Sequence, residues 1–221
     1  MARGLFVTGT DTGVGKTIVS AALMQRFRRD VPLRYWKPIQ TGVEQDDDTA
    51  EVQRLGACVA TEILSAGIRL PRPLSPHLAA DLAGTTIALE PLLAPFLNTG
   101  AATGWIVEGA GGALVPINDS EMMIDLMGLL CLPVVITART TLGTINHTLL
   151  TLEAVRQRGL RVGGVVMVGN RDSGNRRAIE RFGQVEVLGE MPFFNPLTPT
   201  ALASWAVAEF DREQRLLEWL R

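Results

Sequence analysis

The stretch FVTGTDTGVGKTIV, residues 6–19, joins a strand-sized apolar run to a helix-forming one through a turn holding three glycines. Gly13 and Gly15 let backbone N–H groups converge on an anion. A helix opening near Lys16 adds unpaired donors and a partial positive charge. In such a loop Val14 lies between the cradling glycines, Lys16 reaches the β- and γ-phosphates of a nucleotide, and Thr17 sets its hydroxyl on Mg2+. A glycine-rich turn often does no more than close a strand-to-helix connection, but GKT at this place favours nucleotide binding. One detail is off pattern. Five residues separate Gly9 from Gly15, where G-x-x-x-x-G-K-[ST] has four. The cradle is therefore read as Gly13 to Thr17, without help from Gly9.

A loop of this kind sits between a buried strand and a covering helix, and the rest of the chain repeats that alternation. Apolar runs bounded by turn residues recur as GLFVTG near residue 5, RYWKPI near 36, GWIVEGA near 106, PVVITA near 135, VGGVVMVG near 165 and VEVLGEMP near 188. Helical spacing covers residues 17–29, 122–130, 144–158 and 175–182, and an amphipathic stretch covers 200–220. Runs as continuous as PVVITA imply burial on both faces. The expected fold is α/β and P-loop NTPase-like: one domain over residues 1–221, with a central, mostly parallel sheet flanked by helices on both faces. The stretch RLPRPLSPHLAA reads as an ordered connection, because apolar residues interleave its prolines.

Composition narrows the partners. With 21 basic and 23 acidic residues the net charge is -2, so nothing attracts nucleic acid or an acidic membrane surface. Small ligands are expected instead. Cys58 and Cys131 lack metal-ligand spacing and read as buried, reduced thiols of a cytoplasmic protein. MARGLFVTG runs straight into a strand, leaving no room for a signal peptide, and no apolar run reaches membrane-span length.

Ligands of such sheets gather at the carboxyl ends of the strands, and the chemistry-bearing residues sit there. Glu108 closes the apolar run WIVE and leads into Gly109, Ala110 and Gly111; an acid in that place is a candidate metal ligand. Asp48 is either a second ligand or the N-cap of the helix-forming run DTAEVQRL. Lys37 ends the second apolar run, placed to steady a transferring phosphoryl group. Thr41 stands in the turn beyond it. His77 and His147 lack acid–base partners and read as hydrogen-bonded structural residues. LGTINH opens a helix whose free donors suit a carboxylate or an intersubunit contact.

Taken together and in this order, VTGTDTGVGKT, KPIQTG, SPH, EGAGG and LGTINH resemble the dethiobiotin synthetase family, over nearly the whole chain. In that family five residues between the glycines are normal. The resemblance implies ATP-dependent carboxylation of 7,8-diaminononanoate by CO2, through a carbamate and a carbamic-phosphoric anhydride, to dethiobiotin, ADP and phosphate. It assigns Lys16 and Lys37 to catalysis, Thr17, Asp48 and Glu108 to Mg2+, and Gly13 through Thr17 with Gly109, Ala110 and Gly111 to ATP. Thr12, Lys37, Thr41 and Gly111 match positions that touch the diamine. Leu142, Gly143, Thr144 and Asn146 match those that receive its distal carboxylate across a homodimer interface. Some relatives read adenine with an asparagine where this chain has Val168 and Gly169, with Asn170 just beyond; Pro192, Phe193 and Phe194 match the second adenine-proximal segment. Two other readings are a nucleotide-switch ATPase of the partitioning or metal-delivery type and an acid-activating domain related to cobyrinate amidotransferases. The first commonly has a lysine where this chain has Asp11, and the second usually continues into a glutaminase region.

Overall fold

The structure, a computed structural model, describes residues 3–98 and 103–221; Met1 and Ala2 of the N-terminal stretch lie outside them. The loop is framed by β1 (Arg3–Gly9) and α1 (Lys16–Phe27). There follow β2 (Leu33–Trp36), β3 (Ile39–Thr41), α2 (Asp48–Leu55), β4 (Ile63–Leu64), β5 (Ile68–Leu70), α3 (Pro76–Leu82) and α4 (Leu89–Leu97). The second half alternates β6 (Gly104–Gly112), α5 (Met123–Leu130), β7 (Val134–Arg139), α6 (Thr144–Gln157), β8 (Val162–Val168), α7 (Ser173–Gly183), β9 (Val187–Met191), α8 (Pro199–Glu209) and α9 (Leu217–Leu220).

Seven strands form one sheet in the order β4-β2-β6-β1-β7-β8-β9, with parallel pairings throughout. Side chains alternate across a strand, and two cores result. Phe6, Trp36, Val107 and Ile136 point to the face covered by α4, α5 and α6. Leu5, Val7, Tyr35, Ile106 and Val135 point to the face covered by α1, α8 and α9. Burial of both faces accounts for strands without polar alternation.

Three expectations are corrected. RYWKPI is not one strand: Pro38 cannot donate to a ladder, so β2 stops at Trp36 and residues 39–41 leave to pair with β5 in a separate two-stranded sheet. The stretch 200–220 is two helices. Between them Phe210 is buried, and the Asp211 carboxylate accepts from the Arg215 and Leu216 N–H groups at 3.0 and 2.9 Å, turning the chain back under the sheet. Cys58 is buried as expected, but Cys131 is exposed, in the left-handed residue that closes α5.

Two prolines inside nine residues hide α4 from any periodicity reading. Its Phe96 nevertheless stacks on Trp36 with ring centroids 5.6 Å apart and tilts against Trp105 at 5.0 Å. Phe96→Ala is therefore expected to cost about 3–5 kcal/mol in urea unfolding. Leu97→Ala, at an exposed position, should change stability by less than about 0.5 kcal/mol.

Candidate functional site

The loop folds in on itself. Gly13 and Gly15 have φ of 68° and 99°, and a Cβ on Gly15 would lie 3.2 Å from Val168 at the end of β8. Gly9 is not idle, contrary to the reading that leaves it out. A Cβ there would lie 2.7 Å from Val14, 2.8 Å from the Asp11 carbonyl and 3.2 Å from Lys16 Nζ. Lys16 curls back to donate to that carbonyl at 2.9 Å. Arg139, at the end of β7, donates to the Thr12 carbonyl at 3.0 Å and lies 3.3 Å from the Asp11 carboxylate, so the insert TDT is held from outside the loop.

Beside the loop, strand register assembles a charge cluster. Tyr35 of β2 faces Ile106 of β6, and two residues further on, on the same face, come Lys37 and Glu108. Lys37 Nζ donates to Glu108 Oε1 at 2.7 Å and to Asp48 Oδ2 at 2.6 Å. Thr17 Oγ1, from the first turn of α1, lies 2.8 Å from Asp48 Oδ1 and 3.1 Å from Glu108 Oε1. Tyr35 donates its hydroxyl to the remaining oxygen, Glu108 Oε2, at 2.9 Å. Asp48 is free for this role because Asp47 is the N-cap of α2, accepting from the Ala50 N–H at 3.1 Å.

Burial and charge set the protonation of the cluster. Burial lowers Lys16 from its ordinary 10.5 to about 8, helped by the neighbouring Lys37 charge. Burial also pulls Lys37 down, but Glu108 and Asp48 together outweigh it and hold that ammonium above its usual range. For Asp48, burial is outweighed by Lys37 and Thr17, so its carboxyl stays below the usual range. Burial, then Glu108, raises the Tyr35 phenol well above 10.0, keeping it a donor.

Thr17 has one hydroxyl proton and two carboxylate neighbours, so three hard oxygens crowd one point beside a phosphate-type loop. That donor set fits a hard divalent cation completed by phosphate oxygens and water. Among the described residues there is no group of three or more His, Cys, Asp or Glu that would hold a metal unaided.

A cleft of about 770 Å³ opens over these groups. From the loop side it takes Thr12, Gly13, Gly15, Lys16 and Thr17; from the strand ends come Lys37, Thr41, Asp48, Glu108, Ala110 and Gly111. Sequence reasoning missed Gln45, Asp46, Ser75, Pro76 and Val115 on its walls; only SPH carried a signal for two of them. Val14 and Gly109 lie buried beneath, outside the lining. A second cleft of about 280 Å³ shares Thr12 and Val115 with the first and reaches His147 and Leu150.

Other expected residues are elsewhere. The Gly169 N–H donates to the Met191 carbonyl at 2.8 Å, so Val168, Gly169 and Asn170 adjoin Pro192, Phe193 and Phe194 at the ends of β8 and β9, off the cleft lining. Phe193 is exposed while Phe194 packs on the core. Leu142, Gly143, Thr144 and Asn146 open α6 outside both clefts. Thr144 turns inward, donating to the Arg139 carbonyl at 2.5 Å, whereas Leu142 and Asn146 are exposed. His77 is not satisfied as expected: its buried Nδ1 has no hydrogen-bond partner among the described residues. No helix among the described residues is long and apolar enough to cross a membrane.

A buried strand, an inward-folded GKT loop and an acid–base cluster on the adjacent strand ends define an α/β protein of the P-loop NTPase fold class. In agreement, a family model described as an AAA domain matches residues 3–201. The ParA family ATPase of Chlorobium tepidum has the same fold, with a TM-score of 0.56 and 9% identity over 93% of this chain and 98% of that one. Sequence relatives narrow the class. The ATP-dependent dethiobiotin synthetase of Paramagnetospirillum magneticum is 50% identical over 91% of this chain and 93% of its own length. That of Nitrobacter hamburgensis is 44% identical over 91% and 92%. The chain belongs to the dethiobiotin synthetase family.

The Lys16 environment has a measurable consequence. The unfolded chain holds this proton up to about pH 10.5 but the folded one only to about 8, so burial of the ammonium opposes folding most below pH 8 and progressively less above it. Lys16→Met is expected to stabilise the ligand-free protein by roughly 1–3 kcal/mol at pH 7. That advantage should shrink as urea unfolding is repeated from pH 8 towards 10. A difference that stays constant with pH would contradict the assignment.

Proposed function

We propose that the cleft carries out the ATP- and Mg2+-dependent closure of a cyclic urea on 7,8-diaminononanoate, in a cytoplasmic single-domain enzyme acting as a homodimer. The observation that carries this reading is one cleft with two kinds of wall: the nucleotide loop, with Thr12 at its edge, on one side, and Lys37 and Thr41 on the other.

The reaction needs no protein nucleophile. One amine nitrogen bonds to CO2 and loses a proton, giving a carbamate. A carbamate oxygen then takes the γ-phosphoryl group from ATP, and ADP leaves. The second amine attacks the carbonyl carbon of this anhydride, phosphate departs with the C–O bonding pair, and the ring closes with loss of a proton. Positioning and charge stabilisation do most of such work. Lys16 leaves its loop carbonyl for the β- and γ-phosphates, and binding there favours its protonated form. Lys37, kept charged by its carboxylate partners, stabilises the carbamate and the phosphoryl group in transit. Thr12 and Thr41 orient the diamine. Thr17, Asp48 and Glu108 would hold Mg2+, which would supply neutralising charge at the transferred group.

The dimer is proposed on an apolar surface: Leu114, Leu142 and Leu150 are exposed around the smaller cleft and the start of α6. A second copy there would cover the cleft beside Thr12 and bring Leu142, Gly143, Thr144 and Asn146 to the distal carboxylate of the diamine.

Purified protein with ATP, Mg2+ and bicarbonate should release phosphate only when the diamine is added, with dethiobiotin detected by mass spectrometry. Failure of well-folded protein to form the cyclic urea would refute the proposal. Lys37→Gln should lower kcat by about 100-fold or more, the scale of removing one transition-state charge contact, while ATP affinity changes far less.

A further inference from the structure

We propose that Tyr35 is a positioning residue for the metal-binding carboxylate, its phenol fixing the rotation of Glu108 so that Oε1 faces Thr17 and Lys37; this rests on the reading of Glu108 as a metal ligand. Both oxygens of Glu108 are engaged. Oε1 takes Lys37 at 2.7 Å and lies 3.1 Å from Thr17, and Oε2 takes the Tyr35 hydroxyl at 2.9 Å. Glu108 and Tyr35 are both fully buried, so no solvent can substitute for that donor.

Backbone geometry delivers the phenol. Tyr35 is the register partner of Ile106, two residues before Glu108 on the same face of the neighbouring strand. An aromatic side chain there spans to the next layer of the pleat. A tyrosine in an otherwise apolar core also needs a partner for its hydroxyl, and the carboxylate is that partner. Without the phenol, Oε2 would be a charged acceptor buried without a donor. Glu108 would then turn to share its remaining partners, and Oε1 would leave the point where it converges with Thr17 and Asp48. Lys37 and Asp48 hold each other at 2.6 Å, so the charge pair itself survives the loss of Tyr35. Apart from the stability lost with that hydrogen bond, the expected defect in ligand binding is confined to metal affinity.

Tyr35→Phe in the full chain tests this by calorimetric titration with a non-hydrolysable ATP analogue, in EDTA and in Mg2+. The variant should bind the analogue in EDTA within about twofold of the parent, but lose about tenfold or more of the affinity that Mg2+ adds, the fold-change expected for one hydrogen bond to a charged group. An equal gain from Mg2+ in variant and parent would overturn the role of Tyr35. A parent whose affinity ignores Mg2+ would instead overturn the metal reading of Glu108, and this proposal with it. Tyr35 is the only tyrosine in the chain, which gives a second measurement that does not depend on the variant folding. Parent protein labelled with 3-fluorotyrosine has one fluorine resonance. It should move when Mg2+ is added to the analogue complex, and a resonance that Mg2+ leaves in place would overturn the proposal.

Discussion

The site is organised around the contact between Lys37 and Glu108. A fully buried carboxylate is costly unless an opposite charge and further donors compensate it, and the fold converges on that requirement. The break at Pro38 frees Lys37 from the sheet to lie beside Glu108, and the same break sends residues 39–41 off to pair with β5. That detour carries Thr41 to one wall of the cleft and leads into α2, whose first residue, Asp48, supplies the other carboxylate. The first turn of α1 contributes Thr17, and β2 contributes Tyr35. Four segments distant in sequence thus meet at one ammonium and two carboxylates.

The loop is subject to the same constraint from the other side. Lys16 is almost fully buried and, among the described residues, has only the Asp11 carbonyl as a hydrogen-bond acceptor, while Lys37 repels it. The ligand-free fold thereby holds a cation in poor surroundings, an arrangement that favours an arriving polyphosphate. The residues between Gly9 and Gly13 are what lengthen the loop. Their backbone holds Lys16 through the Asp11 carbonyl, their carboxylate and the Thr12 carbonyl are gripped by Arg139, and Thr12 stands where the two clefts join.

Much of this was legible in the sequence where one local pattern carried the information. Residues of β1, the loop and α1 were readable because an apolar run, paired glycines and GKT follow one another directly. Glu108 stood out as an acid closing an apolar strand. What escaped depends on neighbours far along the chain. Gly9 matters because Val14 and Lys16 fold back over it. Asp47 and Asp48 share one acidic run, and only the geometry separates cap from site. Prolines concealed α4, whose helix is set by Phe96 packing between two tryptophans. The break between α8 and α9 follows from Asp211 capping the next turn. Gln45 and Asp46 reach the cleft through the departure of β3 from the main sheet, which no periodicity announces.

The central claim is that Lys37 and Glu108 depend on each other within the fold, and a double-mutant cycle tests it most directly. Urea unfolding of the parent, Lys37→Met, Glu108→Gln and the double variant yields the coupling free energy. Removing Lys37 alone strands Glu108 and should cost about 3–5 kcal/mol, whereas the double variant should recover at least about 2 kcal/mol of the summed losses. Additive losses, within about 0.5 kcal/mol, would contradict the account.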